Sequence, residues 1–458
     1  MKFSVLEIQL FERGVHLRMP FRFGIVTLTQ APQAFVRARV RLENGVEGEG
    51  AAAELLAPKW FDKNPALSNE ANFEQLRTAL RLAREGYLAA GANTGFGHFM
   101  AHYRPQIAAG AKHGLNRLTA CFGPALIDRA LLDALCRAVG ISFYDAMRAN
   151  VPRIDVPTDF LRGLHHSERI AARHTVGLLD PLTAMELRER VDDGLPETLE
   201  EVVQRYGHRW FKLKVGGDMR ADLERLAAIA SVLERNAPNY QASLDGNEQY
   251  EHLSGVLELW RCMKSEPRLA RLVSSIAFIE QPIKRHNALS ADVAALDGEK
   301  PVIIDESDDS LNAFPRARAM GYSGVSSKTC KGLYKSVINA ARCHEWNREA
   351  GRERYFITGE DLTIQAGLAL QQDLALVSLL GLKHVERNGH HYVNGMAASP
   401  SHEQQAFLDV HPDLYERSHG AVRLRIAQGE LKIGSLACSG YASAAMPDWN
   451  HMNEMAVK

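Results

Sequence analysis

Neither an excess of one charge nor a long hydrophobic run is present in this chain of 458 residues. Its 54 lysines and arginines are balanced by 55 aspartates and glutamates, which gives a formal net charge of −1. A nucleic-acid-binding protein needs a dense set of cations for the phosphates, so this balance argues against such a partner. The longest apolar stretches, such as Leu374 to Leu382, are too short to cross a bilayer. We therefore expect neither a nucleic-acid partner nor a membrane span.

Cysteine is scarce, and no two cysteines form a C-x-x-C pair. Neither a zinc ribbon nor a disulfide framework is therefore indicated. The first ten residues lack an apolar run that ends at a small-residue cleavage site, so they indicate a strand rather than a signal peptide. A reducing, cytoplasmic location is the expectation that follows.

The first 150 residues indicate a small α+β domain. Phe35 to Leu42 alternates apolar and polar residues as a strand does, and Asn44-Gly45 is a strong hairpin signal before a returning strand. Two later stretches, 72–88 and 123–147, carry apolar residues at three- and four-residue spacing. This spacing is typical of helices.

Short strand-like runs alternate with helical patterns from about residue 155 onward. Eight such strands with helices between them predict a (β/α)₈ barrel. An open doubly wound sheet is the competing topology, but no G-x-G-x-x-G follows the first strand, which weakens its dinucleotide-binding version. The predicted strands are His174–Leu178, Trp210–Val215, Ala242–Asn247, Ile276–Pro282, Pro301–Ser307, Gly324–Thr329, Tyr355–Asp361 and Lys383–Arg387.

The end of the chain returns to strand-like patterns. Ala421–Ile426 and Glu430–Ile433, separated by Gln428-Gly429, predict a second hairpin. A hairpin after a barrel has no sheet of its own, so we expect it to join the N-terminal domain. The predicted division is an α+β domain at 1–150, a barrel at 151–395 and a returning segment at 396–458.

Polar side chains follow six of the predicted strands, at the rim where barrel enzymes have their active sites. One carboxylate there is usually a helix cap or a turn residue, and one lysine is usually solvated. Three successive strands that end in a carboxylate, flanked by strands that end in lysine, are hard to obtain by chance. The residues are Lys212 and Lys214 after strand two, Asp245 and Asn247 after strand three, Glu280 after strand four, Asp305 and Glu306 after strand five, Lys328 after strand six, and Glu360 and Asp361 after strand seven.

The carboxylates of strands three to five predict a hard-cation site, because neighbouring strands can bring them to one ion. An all-oxygen site with open positions favours Mg²⁺. Lys212 and Lys214 point to the same side of their strand, where mutual repulsion would lower a lysine pKa towards that of a general base. Lys328 lies across the barrel from them. One base can therefore stand on each face of a substrate.

This set resembles the active site of the enolase superfamily, in particular the muconate-lactonizing-enzyme-like group of the mandelate racemase/muconate lactonizing enzyme family. The matching motifs are Lys212-x-Lys214, the Asp245, Glu280 and Asp305 set, and Lys328. Segments 19–23 and 44–50 resemble the family's capping domain, and 130–144 resembles the helix leading into its barrel. The resemblance implies a (β/α)₇β-type TIM barrel with an α+β N-terminal capping domain completed by the C-terminal segment.

The resemblance also implies Mg²⁺-dependent removal of the proton alpha to the carboxylate of a small acid, which gives an enediolate. Racemisation or epimerisation, β-elimination and cycloisomerisation stay open, because the same residues serve all three, so the enzyme is expected to be an isomerase or a lyase. Lys214 and Lys328 are the expected bases, and Lys212 the expected partner of a substrate carboxylate oxygen. A homo-oligomer is also expected. Further candidate substrate contacts are Asn247, Glu306 and Glu360.

Departures from the family pattern argue against two subgroups of the family. Strand seven offers Glu360 and no histidine, and strand six no aspartate, which removes the His-Asp dyad of the mandelate-racemase-like group. Strand eight, His384 to Arg387, lacks the Asp-x-Asp with which the family's dipeptide epimerases bind an ammonium group, so a dipeptide is disfavoured. Two alternatives remain open. One is a Schiff-base aldolase that uses Lys214 or Lys328, and the other is a non-catalytic relic that acts as a binding protein.

Two smaller expectations concern residues outside this set. Arg22, Phe23 and Trp60 lie where the family's capping domain supplies lid loops, although packing in the hairpin explains them equally well. The adjacent pairs His165-His166 and His390-His391 are not expected to chelate one metal, because adjacent residues on a strand point apart.

Overall fold

The computed structural model describes residues 1–23 and 26–456 and has two main parts. One is an antiparallel sheet packed against three long helices, and the other is a closed barrel of eight parallel strands. Within the described residues, no helix is both long and apolar enough to cross a membrane.

The N-terminal sheet is built on a long hairpin and confirms the predicted α+β domain. The turn at Asn44-Gly45 joins its second and third strands, with Gly45 at a φ of +85° that suits glycine. The predicted helix 123–147 is two helices, because Gly140 ends the first in a left-handed conformation and Ser142 caps the second. The elements are β1 (Lys2–Phe23), β2 (Val26–Leu42), β3 (Glu47–Leu55), α1 (Asn69–Leu88), β4 (Asn93–Thr94), α2 (Gly95–Lys112), α3 (Arg117–Val139) and α4 (Phe143–Arg148).

Glycines let β3 lie directly on helix α3. A Cβ atom at Gly50 would lie 2.1 Å from the backbone N of Ala134 and 2.4 Å from the carbonyl O of Ala130. Both of these are backbone atoms of a buried helix, so they cannot move aside as a flexible side chain would. The close approach explains why glycine stands here in a strand.

We expect Gly50→Ala to lower the free energy of unfolding by about 2–3 kcal/mol, because the added methyl group overpacks the β3–α3 contact. The measurement is equilibrium urea unfolding. Gly14→Ala in β1 is the matched control, since a Cβ atom there meets no atom within 4 Å. Equal unfolding midpoints for the two variants would contradict the proposed contact.

The barrel confirms all eight predicted strands. They follow one another around the barrel in chain order, and β12 pairs with β5 to close it. The strands are β5 (Arg169–Val176), β6 (Trp210–Lys214), β7 (Gln241–Asp245), β8 (Ile276–Glu280), β9 (Val302–Ile304), β10 (Gly324–Ser327), β11 (Phe356–Gly359) and β12 (His384–Arg387).

Helices lie between these strands, and a four-residue helix follows the last strand. The helices from the first one before the barrel onward are α5 (Thr158–Arg162), α6 (Leu199–Tyr206), α7 (Met219–Asn236), α8 (Leu253–Ser265), α9 (Ala270–Ser275), α10 (Arg285–Ala288), α11 (Ala294–Asp297), α12 (Ala313–Ala319), α13 (Leu333–Ala350), α14 (Leu368–Leu379) and α15 (Gly389–Tyr392). Beyond the barrel lie α16 (Ser401–Val410), β13 (Tyr415–Ser418), β14 (Ala421–Leu424), β15 (Glu430–Lys432) and β16 (Asn453–Glu454).

The predicted C-terminal hairpin is wrong in its pairing. Strand β14 pairs with β13, and β15 pairs with the N-terminal end of the barrel strand β5. The turn at Gly429 causes this, because its N–H donates to the carbonyl O of Tyr206 at 2.7 Å and draws the chain onto α6. The segment nevertheless returns to the first domain through β16, which pairs with β1. The boundaries at 150 and 395 stay a prediction.

Candidate active site

The carboxyl ends of the barrel strands form the floor of a cavity that the N-terminal domain covers. Lysine and carboxylate side chains from the barrel line the floor, and apolar side chains from the first domain line the cover. Of the predicted lid residues, Trp60 lines the cavity and Arg22 is exposed, while the side chain of Phe23 is outside the described part. The apolar cover comprises Phe21, Leu28, Leu55, Ala57 and Trp60.

Lys212 is the centre of a buried cluster of carboxylates. Because side chains alternate along β6, Lys212 and Lys214 both point into the barrel. The Nζ atom of Lys212 lies between 2.8 and 3.1 Å from a carboxylate oxygen of each of four residues, Asp245, Glu280, Glu360 and Glu386. Its ammonium group therefore has a fixed position on the floor.

The carboxylates around Lys212 reverse the expected direction of its pKa shift. Burial alone would lower the pKa of Lys212, but the four carboxylates outweigh burial and raise it well above its usual value. The pKa of Lys328 is raised too, because Asp305 more than offsets burial. Repulsion between lysines is the smaller effect in this setting, so Lys212 stays charged.

Each expected base is paired with one expected metal ligand. The Nζ atom of Lys214 is 2.6 Å from Oδ2 of Asp245, and that of Lys328 is 2.6 Å from Oδ2 of Asp305. The ammonium group of Lys328 also lies 4.3 Å from the centroid of the Trp60 ring. The structure thus brings together the lysines and carboxylates predicted from different strands.

The three expected metal ligands occupy equivalent positions on neighbouring strands. Asp245 and Glu280 are direct partners in the β7–β8 register, and Asp305 directly follows β9. Burial, followed by the charges of Asp245 and Glu360, raises the pKa of Glu280 well above its usual range. Among the described residues, its one cationic contact is Lys212, which it shares with three other carboxylates. A divalent cation would offset this negative charge, so the donor set fits Mg²⁺.

The three candidate substrate contacts other than Lys212 lie at different depths. Asn247 lines the cavity, and its side-chain Nδ2 donates to Oε1 of Glu306 at 3.0 Å. Glu306 and Glu360 are buried behind the lining, where Glu360 bonds to Lys212 and Arg173. Their arrangement supports the lining residues, and direct contact with substrate stays a prediction for all three.

The sequence analysis predicted the first and last barrel strands but assigned none of their residues to the charged cluster. From β5, Arg173 bonds to Glu360, and Thr175 bonds to Glu386. From β12, Glu386 contacts Lys212 at 2.9 Å and accepts from the backbone N–H of Asp361 at 2.9 Å. The signal for Glu386 was present, since it is a carboxylate near the end of the eighth strand, as on strands three to five.

The loop 56–68, between β3 and α1, is fastened to the mouth of the barrel. Arg285 donates to the carbonyl oxygens of Trp60 and Phe61 at 2.8 and 2.9 Å. Lys63 lies 2.5 Å from Oε2 of Glu248 and 3.3 Å from Oε1 of Glu306. These bonds hold Trp60 over the cavity.

Lys63→Met is expected to raise the KM of the substrate about fivefold with little change in kcat, because a partly buried ion pair contributes about 1 kcal/mol to closure of the loop. Steady-state kinetics measures both parameters. Lys112→Met, on an exposed part of α2, is the control. An unchanged KM in the Lys63 variant would show that the ion pair does not hold the loop over bound substrate.

A closed parallel barrel with a carboxylate- and lysine-rich mouth under an α+β cover defines an enzyme of the TIM-barrel class. The family described as "Enolase C-terminal domain-like" matches residues 194–433, which is more than half of the chain. The chain therefore belongs to the enolase superfamily, in its mandelate racemase/muconate lactonizing enzyme family. The resemblance seen in the sequence is confirmed, and with it an enzyme of the isomerase or lyase kind.

Similar proteins include isomerases of this superfamily. The hydrophobic dipeptide epimerase of Citrifermentans bemidjiense is 26% identical over 331 residues, which cover 71% of this chain and 73% of the relative. The muconate lactonizing enzyme of Pseudomonas fluorescens, solved with muconolactone, has a TM-score of 0.60 at 17% identity and 98% coverage of both chains. The dipeptide epimerase of Cytophaga hutchinsonii, solved with Mg and D-Ala-L-Val, has a TM-score of 0.61 at 12% identity and full coverage of both. The two structures show a shared fold.

Proposed function

We propose that this enzyme removes the proton alpha to the carboxylate of a small acid with the help of Mg²⁺. The observation that carries the proposal is the pairing of Lys214 with Asp245 and of Lys328 with Asp305, on strands from different sides of one cavity. Each candidate base thus adjoins a candidate metal ligand. A substrate held by the metal would lie between the two bases.

The metal ligands and the lysines would have separate roles in the reaction. Asp245, Glu280 and Asp305 would hold Mg²⁺, which supplies positive charge for the negative charge that develops on the substrate carboxylate. Lys212, kept protonated by its carboxylate partners, would donate a hydrogen bond to a carboxylate oxygen of the substrate. Lys214 and Lys328 would remove or return the alpha proton. Mg²⁺ held by Asp305 would offset the negative charge that raises the pKa of Lys328, so that this lysine could lose its proton and act as a base. Two opposed bases favour a 1,1-proton transfer, which is racemisation or epimerisation, over elimination or cycloisomerisation.

The cover of the cavity supports an acid with an apolar part. Phe21, Leu28, Leu55 and Trp60 face the floor of charged residues, and Leu362 extends this apolar wall. The hydrophobic dipeptide epimerase among the relatives makes a dipeptide worth testing. Glu386 and Asn388 stand at the strand-eight end in place of an Asp-x-Asp pair, and Glu386 already bonds to Lys212, so we still favour an acid without a free ammonium group.

Solvent-deuterium exchange into a library of carboxylic acids, with Mg²⁺ present and with mass as the readout, tests the proposal. The library contains N-acylated amino acids, hydroxy acids, unsaturated acids and hydrophobic dipeptides. Exchange that stops with EDTA and returns with Mg²⁺ is the expected result. Exchange into none of the acids would favour the binding-protein alternative. Borohydride trapping of a carbonyl substrate on Lys214 or Lys328 would favour the Schiff-base alternative.

The enzyme is also proposed to be a homo-oligomer, because large barrels often bury exposed helix faces by symmetric association. Light scattering at micromolar concentration is expected to give a mass that is a multiple of the chain mass of 50.8 kDa. A monomer under these conditions would contradict the expectation.

A further inference from the structure

Three histidines from separate elements meet outside the barrel wall. They are His174 on β5, His208 just before β6 and His390 in α15, and one ring nitrogen of each lies within 4.8 Å of the others. Arg173 and Thr175 point into the barrel, so His174 points outward between them. His174 and His208 are only 2% and 1% exposed. This histidine cluster lies at the seam where β12 pairs with β5.

The rings of the cluster present nitrogen atoms that have no partner. Nδ1 of His208 is 2.9 Å from the carbonyl O of Ala172 and must donate to it, which leaves a lone pair on Nε2. Among the described residues, that Nε2, Nδ1 of His174 and both ring nitrogens of His390 are buried without a hydrogen-bond partner. Native structures rarely leave several such atoms in one place, so the group calls for a ligand.

The protonation of the rings is suited to metal binding. Burial lowers the pKa of His208 to about 4 and holds the pKa values of His174 and His390 well below the usual value, so all three rings are neutral near pH 7. Neutral imidazole is the form that binds metals. The ring of His391 lies close by, with its centroid 5.1 Å from that of His174.

We propose that the histidine cluster is a second metal site. It binds a divalent transition metal, and Zn²⁺ is the expected ion. Imidazole nitrogen selects zinc over magnesium, which prefers oxygen ligands, so this site differs in chemistry from the one at the barrel mouth. The bond from His208 to Ala172 is the outer contact that commonly fixes the tautomer of a metal-bound histidine.

The surroundings give the metal a structural role. A zinc ion there would tie β5, the segment before β6 and the segment after β12 together, at the point where the first and last barrel strands meet. Three arginines lie near the histidine cluster, and each has a partner of its own. Arg18 pairs with Asp193, and Arg387 pairs with Asp373. Arg423, which also faces His390, bonds to Asn394.

Metal titration of the stripped full-length protein tests this site. The protein is treated with chelator, given excess Mg²⁺ to fill the oxygen site, and titrated with Zn²⁺, or with Co²⁺ as a coloured substitute. The expected result is one tightly retained equivalent, a Co²⁺ spectrum typical of nitrogen ligands in a tetrahedral site, and a higher unfolding temperature with Zn²⁺. Absence of a retained equivalent, or a spectrum typical of octahedral oxygen ligands, would overturn the proposal.

Two variants and a control locate the binding. His390→Gln and His208→Asn are each expected to remove the retained equivalent and the Zn²⁺-dependent rise in unfolding temperature, while circular dichroism shows a folded protein. His402→Gln is the control, because His402 belongs to a second group that could hold a metal, with Asp448 and His451, in the segment after the barrel, and its two histidines are exposed. Loss of the equivalent in the control, or its retention in both variants of the histidine cluster, would place the metal elsewhere and refute the site.

Discussion

Glu280→Gln is expected to abolish alpha-proton exchange and to weaken Mg²⁺ binding while the barrel stays folded. The amide keeps the size of the side chain but removes a full negative charge from the proposed metal site. A metal ion contributes several kcal/mol to stabilising the transition state, so we expect a loss of at least ~10²-fold in rate. Lys212 keeps Asp245, Glu360 and Glu386 as partners in this variant, which is why the fold should survive.

Exchange rates, Mg²⁺ titration and thermal unfolding together test this expectation. Glu258→Gln, the same chemical change on an exposed position of α8, is the control and should behave as the unmodified enzyme does. Full turnover by Glu280→Gln, or exchange that is indifferent to EDTA, would refute the metal assignment.

Lys214→Ala is expected to stop exchange from one stereoisomer of the substrate and to spare the other, and Lys328→Met is expected to show the reverse. Each lysine serves one face of the alpha carbon in a 1,1-proton transfer, and loss of a base costs ~10²–10⁴ in rate. The surroundings of both lysine positions should stay intact, because each neighbouring aspartate keeps another lysine partner. Asp245 retains Lys212 at 3.1 Å, and Asp305 retains Lys331 at 3.3 Å.

An arginine variant distinguishes a lysine that acts as a base from one that acts only through its positive charge. Lys214→Arg keeps a cation beside Asp245 but cannot accept a proton at neutral pH, so it should fail as Lys214→Ala does. Full activity of Lys214→Arg would mean that this position acts through charge alone. Equal loss for both stereoisomers in the Lys214 and Lys328 variants would favour elimination or cyclisation with one base. No loss in either variant would refute the site itself.

The barrel and the residues at its mouth were predictable because each signal is local. A strand that ends in a polar residue is visible in the sequence, and parallel strands in chain order bring their carboxyl ends to one rim. The sequence therefore predicted that Lys212, Lys214, Asp245 and Lys328 lie at one rim without any contact being known, and all four line the same cavity. In the same way, Gly45 after Asn44 specified a hairpin turn, because its left-handed backbone conformation is one that few other residues adopt.

Other features were decided by tertiary contacts. The hairpin predicted around Gln428-Gly429 failed because a bond from Gly429 to Tyr206, distant in sequence, recruits β15 to the barrel. The direction of the Lys212 pKa shift also depended on residues distant in sequence, since Glu360 and Glu386 belong to the last two strand ends, which only the pairing of β12 with β5 brings near β6.

The sequence by itself determined the order of strands and helices, the residues at the strand ends and the superfamily, because these follow from neighbours along the chain. Only the tertiary structure decided which charges surround each lysine, which apolar side chains cover the cavity, and that His174, His208 and His390 meet. The physical reason is that a pKa or a ligand set depends on distances between atoms, and closing β12 onto β5 sets distances that no local pattern contains.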